Sequence, residues 1–161
     1  MKYICKLILF AIVFLFWACD DIRLYERNVD IEGKTWHQDS IPVFSFNIDN
    51  TAQTYNFYYN FRNTRAYPYR NLYVRYALED STGAVISSDL HNMNLFDPVT
   101  GKPYGDGLGD IFEHQVLALR EVKFDAPGEY HFKIQQYMRM NSLPEIISVG
   151  LRVEKAGIVN E

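Results

Sequence analysis

Apolar side chains occupy every second position in three segments of this chain, 43–48, 55–62 and 72–79. A period of two places alternate side chains on opposite faces of an extended strand, so each segment predicts a strand with one buried face. The residues predicted to face the core are Phe44, Phe46, Ile48, Tyr55, Phe57, Tyr59, Phe61, Leu72, Val74, Tyr76 and Leu78. The chain lacks a sustained period of 3.6 residues, so the pattern favours an all-β fold.

Shorter patterns predict further strands, at 85–90, 116–124, 130–136 and 149–153. Segment 85–90 is expected to form a hairpin with 72–79 across the turn at Gly83. Residues 91–110 predict a long irregular connection, and 139–147 predict a loop or a short helix. Seven or eight short strands joined by turns favour one antiparallel β-sandwich, either immunoglobulin-like or jelly-roll-like.

The composition of the chain excludes several classes of function. The chain has 161 residues, of which 48% are hydrophobic, and a net charge of −4. That length allows one ordinary domain, and the hydrophobic content favours a folded chain. A net negative charge does not attract the phosphate backbone of nucleic acid, so no nucleic-acid partner is expected. Two cysteines are too few for a disulfide-dense scaffold or a multi-cysteine metal site.

The N-terminus predicts a targeting segment. Lys2 and Lys6 precede an apolar run at 7–17, which is too short to span a bilayer as a helix. The run ends at Ala18 and Cys19, and a small residue before a cysteine resembles a bacterial lipobox. Cleavage before Cys19 and diacylation of its sulfur are therefore expected. An ordinary secretory signal or a transmembrane anchor is the alternative, but the exported chain holds no second cysteine and needs no disulfide.

The predicted layout has four parts, which are a signal peptide at 1–18, a lipid-anchored tether at 19–35, a β-sandwich at 36–155 and a C-terminal tail at 156–161. The tether is inferred from closely spaced charges with few apolar residues. Loss of the two signal-peptide lysines changes the net charge from −4 to −6. We expect a domain held by acyl chains at a membrane of the cell envelope, the outer membrane rather than the inner, in the periplasm or at the surface.

Sequence motifs predict no enzyme and no cofactor. The four histidines do not have the spacing of a metal-binding motif. They are His37, His91, His114 and His131. The chain has no Gly-x-Ser-x-Gly elbow, phosphate loop or dinucleotide fingerprint. The one exported cysteine is assigned to lipid, so cysteine catalysis is not expected either.

Two local features are candidate sites. Asp106 and Asp110 lie in a glycine-rich loop at 105–111 and are weak candidates for Ca²⁺ ligands. A structured loop with Asp-capped turns is favoured, because no Glu closes an EF-hand loop. The second feature is a tyrosine-rich turn with Tyr67, Tyr69 and Tyr73, which is a candidate partner-binding surface. Packing of this turn on its own sandwich is the alternative.

Several segments together resemble one protein family. They are Cys19-Asp20, Trp36-His37, 61–73, 105–111, 135–139 and 143–155. In order and spacing they are similar to the gliding motility lipoprotein GldH family of Bacteroidetes, over nearly the whole chain. The departures are Glu145, where Gly is expected, and the bulky Phe16 and Trp17 before Ala18.

The resemblance implies a non-enzymatic envelope lipoprotein associated with gliding motility and, through it, with type IX secretion. From the Cys19 anchor, the missing catalytic set and the tyrosine-rich turn, we expect a binding or scaffold module that acts on envelope proteins, such as other gliding or secretion lipoproteins. In a species that does not glide, the family name describes ancestry. The alternative function is a glycan- or Ca²⁺-binding sandwich that uses Tyr58 and Tyr73. Ser40 and Ser81 lie in short motifs that resemble O-glycosylation sites of Bacteroidetes.

Overall fold

The structure, a computed structural model, describes residues 22–158. Cys19, the predicted signal peptide and residues 159–161 lie outside that range. Regular structure within it is β-strand, apart from a 3-10 turn at Glu32–Lys34. The strands are β1 (Arg23–Asp30), β2 (Thr35–His37), β3 (Val43–Ile48), β4 (Gln53–Thr64), β5 (Asn71–Asp80), β6 (Val85–Asn94), β7 (Asp106–Leu108), β8 (Ile111–Val122), β9 (Gly128–Gln136), β10 (Ser142–Pro144) and β11 (Ile146–Ile158).

Two antiparallel sheets form the sandwich. One has the order β1-β11-β4-β8-β7 and the other has the order β3-β9-β5-β6, while β10 and β2 form a separate short ladder. The predicted all-β antiparallel sandwich is confirmed, but the strand count of seven or eight was too low. The missed strands include β2, β7 and β10, which have three residues each. A period of two cannot be recognised over three residues.

The alternating segments supply the core, as predicted. All eleven residues predicted to face inward are buried. Aromatic rings bridge the two sheets, with Phe57 of β4 lying 5.5 Å from both Phe46 of β3 and Phe132 of β9 between ring centroids. Tyr59 of β4 lies 6.1 Å from Phe132. The high aromatic content of the chain is therefore largely explained by the layer between the sheets.

The predicted hairpin is formed by β5 and β6. Gly83 adopts φ +83° in its turn, a left-handed conformation that a residue without a Cβ adopts without steric cost. The Asp80 carboxylate closes the turn by accepting hydrogen bonds from the Thr82 hydroxyl at 2.6 Å and from the Ala84 amide at 3.0 Å. These hydrogen bonds lower the pKa of Asp80.

Residues 23–30 differ from the predicted tether, because they form β1 and pair with β11 from Arg23↔Glu154 to Asp30↔Ser148. The charges that suggested a solvated tether are held on the sheet. The Glu26 carboxylate accepts hydrogen bonds from Arg152 at 2.9 Å and Asn60 at 3.1 Å. Burial alone would raise the pKa of Glu26, but hydrogen bonds from Arg23, Arg152 and Asn60 and the Arg152 charge outweigh burial and lower it.

Three other segments are more ordered than the sequence pattern indicates. Strand β6 continues to Asn94, so the irregular connection is shorter than predicted. Strand β11 extends to Ile158 and overlaps the predicted tail at 156–158. Segment 139–147 contains β10 and the start of β11, with no helix.

Glu145 lies between β10 and β11 with φ +68°, in the left-handed region. Its backbone carbonyl accepts a hydrogen bond from the Thr64 amide at 3.0 Å, and its carboxylate accepts one from the Thr64 hydroxyl. A left-handed residue with a Cβ costs about 1–2 kcal/mol. The position where the resemblance expects glycine is therefore one that favours glycine conformationally.

The register of β5 predicts opposite responses at two neighbouring residues. Leu72 is fully buried, so Leu72→Ala should lower the free energy of unfolding by about 2–5 kcal/mol. Tyr73 is 37% exposed on the other face, and Tyr73→Ala should lower it by less than about 1 kcal/mol. Equilibrium unfolding in urea measures both. The reverse order would show that β5 is displaced by one residue.

Glycine should be preferred over alanine at position 145. Both Glu145→Ala and Glu145→Gly remove the carboxylate contact with Thr64, so they differ only in the Cβ. We expect Glu145→Gly to be more stable by about 1 kcal/mol in urea unfolding, because it relieves the left-handed strain. The same pair at exposed Glu129 in β9 is the control, where alanine should be the more stable. Equal stability of the two position-145 variants would contradict the strain.

Candidate functional site

Tyr67 was predicted to contact a partner, but the structure places it in the core. It lies in the turn between β4 and β5 and is only 6% exposed. Its hydroxyl donates a hydrogen bond to the Asn71 carbonyl at 2.9 Å, and its ring stacks on Phe96 at 6.3 Å. Burial raises the pKa of the Tyr67 phenol. The alternative of a turn that packs on its own sandwich therefore holds for this residue.

Tyr69 and Tyr73 are both accessible, at 37% exposure each. The Tyr69 hydroxyl donates to the Met140 sulfur at 3.2 Å, which holds the ring beside the 137–141 loop. Tyr73 lies on the outer face of β5, and its carbonyl accepts a hydrogen bond from the Tyr137 amide at 2.8 Å. The fold thus brings the two predicted tyrosines beside a third aromatic residue.

These side chains form one open groove of about 580 Å³. We call it the tyrosine surface, and its members are Tyr69, Tyr73, Leu90, Tyr137, Met138 and Arg139. Leu90 reaches it from β6, where it pairs with Arg75 of β5. Leu90 is 41% exposed and Tyr137 is 39% exposed, so the groove presents apolar area to solvent.

Two arginines give the tyrosine surface a positive rim. The Arg75 guanidinium lies 4.5 Å from the Tyr137 ring centroid, which is a cation–π distance. Arg139 lines the groove itself. No carboxylate of residues 22–158 lies within 4.0 Å of either guanidinium. Elsewhere on the same sheet, Lys133 is paired with Glu79 at 2.7 Å.

Sequence patterns missed Tyr137 and Leu90 as parts of this surface. Even-numbered residues of β9 from Tyr130 to Gln136 are buried, so the alternation does indicate that Tyr137 points outward. Its contact with Tyr73 depends on the register Val74↔Gln136 between β5 and β9. A long-range register of this kind has no local sequence signal.

Asp106 and Asp110 lie on either side of a tight turn. Asp106 lies in β7 opposite Glu113 of β8, and Asp110 follows Gly109, which has φ +66°. The Asp110 carbonyl accepts a hydrogen bond from the Arg65 amide at 2.8 Å. Within residues 22–158 no three His, Cys, Asp or Glu side chains are grouped so as to hold a metal ion. The Ca²⁺ hypothesis therefore rests on these two carboxylates.

The remaining candidates are dispersed. Tyr58 lies on the outer face of β4, so the sandwich separates it from Tyr73 on the outer face of β5. Ser40 and Ser81 are both exposed. The imidazoles of His37 and His131 are hydrogen-bonded to the hydroxyls of Ser142 at 3.0 Å and Ser45 at 2.9 Å, respectively.

His114 is the one deeply buried histidine among the described residues, at 2% exposure. Burial lowers its pKa, and its Nε2 has no hydrogen-bond partner in the part of the chain described. Phe96 packs at 6.0 Å from the imidazole, and Gly105 lies so close that an added Cβ would be 2.7 Å from Nδ1. The residue is thus a packed core imidazole, held neutral by its apolar surroundings.

Residues 23–153 match the family model of the GldH lipoproteins. A protein of Christiangramia forsetii called gliding motility lipoprotein GldH homolog is 36% identical over 152 residues, which cover 89% of this chain and 91% of that protein. The gliding motility lipoprotein GldH of Flavobacterium johnsoniae is 30% identical over 156 residues, covering 92% of this chain and 94% of that protein.

Among solved structures, dimeric latent PorU from Porphyromonas gingivalis aligns with 83% of this chain and 13% of its own, at 10% identity and a TM-score of 0.35, too low to indicate a shared fold. No helix within residues 22–158 has the length and apolar content needed to cross a membrane. Because the family match spans β1 to β11 and both relatives align over almost their whole length, this chain belongs to the GldH lipoprotein family.

Proposed function

We propose that this protein is a lipid-anchored binding module of the gliding and type IX secretion machinery, held at the outer membrane by acyl chains on Cys19. It acts by contact and not by turnover. Its partner is another envelope protein, such as a gliding or secretion lipoprotein, which it binds through the tyrosine surface. Family membership supports the envelope setting, and the geometry of the groove supports the mode of action.

The observation that carries this proposal is the composition of the tyrosine surface. Exposed Tyr and Arg side chains are the residues most enriched in the binding hot spots of protein interfaces. Here three exposed tyrosines adjoin two arginines without a carboxylate partner among the described residues. The cation–π contact leaves the charge of Arg75 uncompensated, and an acidic partner segment would neutralise it together with that of Arg139. The geometry therefore suits a partner segment with apolar and acidic side chains.

The histidine environments support contact over turnover. His37 and His131 each share a hydrogen bond with a serine hydroxyl. Among residues 22–158, no carboxylate is hydrogen-bonded to the second nitrogen of either imidazole. General-base activation of a serine depends on such an orienting group. The buried imidazole of His114 faces apolar groups and touches no nucleophile described here.

Replacement of the lipidated cysteine should release the protein from membranes. Cys19→Ser removes the sulfur that would carry the acyl chains. We expect the variant in the soluble fraction or as an unprocessed precursor, whereas the parent protein floats with membranes in a density gradient. Intact-mass measurement of the parent should show the added acyl groups. An unmodified Cys19 thiol on mature, membrane-bound protein would contradict the proposed anchor.

Partner capture should depend on the tyrosine surface and on its charge. We expect crosslinking from native membranes to yield a defined adduct with the parent protein, reduced at least tenfold by Tyr73→Ala or Tyr137→Ala. Arg139→Glu should weaken it further, and added salt should weaken the parent complex, because the partner is acidic. The unfolding free energies of these variants should stay within about 1 kcal/mol of the parent.

Matched controls separate a surface effect from a general one. Tyr104 is 59% exposed in the 97–105 loop, and Tyr104→Ala should leave capture unchanged. Lys102→Glu reverses an exposed charge outside the groove and serves the same purpose for Arg139→Glu. Equal adducts from all variants would move the contact away from the tyrosine surface. Recovery of glycan alone, lost with Tyr73→Ala, would favour the glycan-binding alternative.

A further inference from the structure

The chain enters the sandwich at the end opposite the tyrosine surface. The first described residue, Ile22, accepts a backbone hydrogen bond from Lys155 at 2.8 Å, and β1 begins beside Glu154. The neighbouring β4 begins at this end, where Tyr55 packs on Phe124 at a centroid distance of 5.8 Å. We call this the anchor end.

Contacts between the sheets place three turns at the anchor end. Phe124, which follows β8, lies 4.4 Å from Tyr130 near the start of β9. Tyr130 is paired with Phe46 of β3 and with Asp80 at the end of β5. The turns at 49–52, 81–84 and 125–127 therefore lie together around the entry point of the chain.

The tyrosine surface extends from the other end to the middle of β5, where Leu90 pairs with Arg75. Tyr69 precedes the start of β5, and Tyr137 and Met138 follow the last residue of β9. The strand between these ends, β5, has ten residues. At a rise of about 3.3 Å per residue, the two ends are about 30 Å apart.

The linker between the lipid and the sandwich is short. Three peptide units separate Cys19 from Ile22 and span at most about 11 Å when fully extended. Because Ile22 is already held by β11, a lipid on Cys19 keeps the anchor end within that distance of the headgroups. The anchor end of a sandwich about 30 Å long therefore stays beside the lipid at every tilt, whereas the other end comes close only when the domain lies flat.

We propose that the anchor end is the part of the sandwich that faces the lipid headgroups and that the tyrosine surface lies away from the membrane, about 15 to 30 Å beyond the anchor end along β5. This orientation rests on the proposed lipidation of Cys19. Charge does not favour it, because the anchor end carries Asp49, Asp80 and Asp125 beside Lys123 and Lys155, so neither sign dominates there. The short linker keeps the anchor end next to the lipid, and the groove is accessible to partners that approach from beyond the headgroup layer.

Single-cysteine labels test the orientation, because mature protein with lipidated Cys19 contains no other cysteine. Ala126→Cys places a donor dye on an exposed turn of the anchor end. Val99→Cys places it on a residue that is 91% exposed, in a loop that a hydrogen bond from Arg70 to the Pro98 carbonyl holds beside Tyr69. Lipidated protein is reconstituted into phosphatidylethanolamine–phosphatidylglycerol vesicles that carry an acceptor dye on a fraction of the headgroups. We expect at least fivefold stronger energy transfer from position 126 than from position 99.

A linker variant supplies the matched control. Twenty Gly and Ser residues inserted between Asp21 and Ile22 leave the anchor and the sandwich unchanged but remove the length restriction. Transfer from position 126 should then fall towards the value at position 99. Equal transfer from both positions in the parent protein, with the protein still floating with the vesicles, would overturn the orientation and leave the anchor intact. Protein that fails to float would overturn the lipidation of Cys19 and the orientation with it.

Discussion

The packing of the aromatic face of β4 against the opposite sheet is the interaction on which the rest of the structure depends. Phe57 and Tyr59 contact Phe132 of β9, and Phe57 also contacts Phe46 of β3. Buried tyrosines require partners for their hydroxyls, and both tyrosines of this face have them. Tyr55 donates to the Asn50 carbonyl at 2.7 Å, and the Tyr59 hydroxyl is bonded to His91 at 3.1 Å. These rings thus contribute buried apolar area, and their hydroxyl hydrogen bonds position the turn at Asn50 and strand β6.

Burial makes those phenols poor acids, so their packing is unaffected by pH near neutrality and is weakened only in alkaline conditions. Desolvation raises the pKa of Tyr59 far above its ordinary value, and Tyr55 is shifted in the same direction. A phenol whose pKa is raised on folding loses stabilising effect only as the pH rises from its unfolded value towards its folded one. The core is therefore insensitive to ionisation of these tyrosines at neutral pH.

The period-two pattern predicted the sandwich and its inward residues because β3, β4 and β5 each bury one complete face. The pattern did not identify segment 23–30 as a strand. This segment forms β1, an edge strand whose charged side chains have partners distant in sequence, such as Arg152 for Glu26. Charge density therefore indicated solvent where the sheet supplies ion pairs. The motifs that carry the family resemblance do not include this segment, which lies between Cys19-Asp20 and Trp36-His37.

The tyrosine turn illustrates a second limit of sequence patterns. Tyr67 and Tyr69 flank Pro68, yet one is buried against Phe96 and the other is exposed beside Met140. Turn residues follow no fixed period, so spacing alone does not distinguish the inward ring from the outward one. Leu90 and Tyr137 entered the groove only through the registers of β5 with β6 and β9. Sequence thus indicated the position of the turn correctly, while the composition of the surface depended on pairing between distant strands.

The topology also determines how the domain would respond to a pull between the proposed lipid anchor and a proposed partner at the tyrosine surface. Strand β1 begins at the anchor end and runs away from it, paired with β11 from Arg23 to Asp30. A force between the two ends acts along the strand axis, whereas the antiparallel hydrogen bonds lie perpendicular to it. The ladder is then loaded in shear, with its bonds sharing the force, and it is not opened one bond at a time. An edge strand held in this way, and joined to β11 by the Glu26–Arg152 ion pair at 2.9 Å, would resist such a pull.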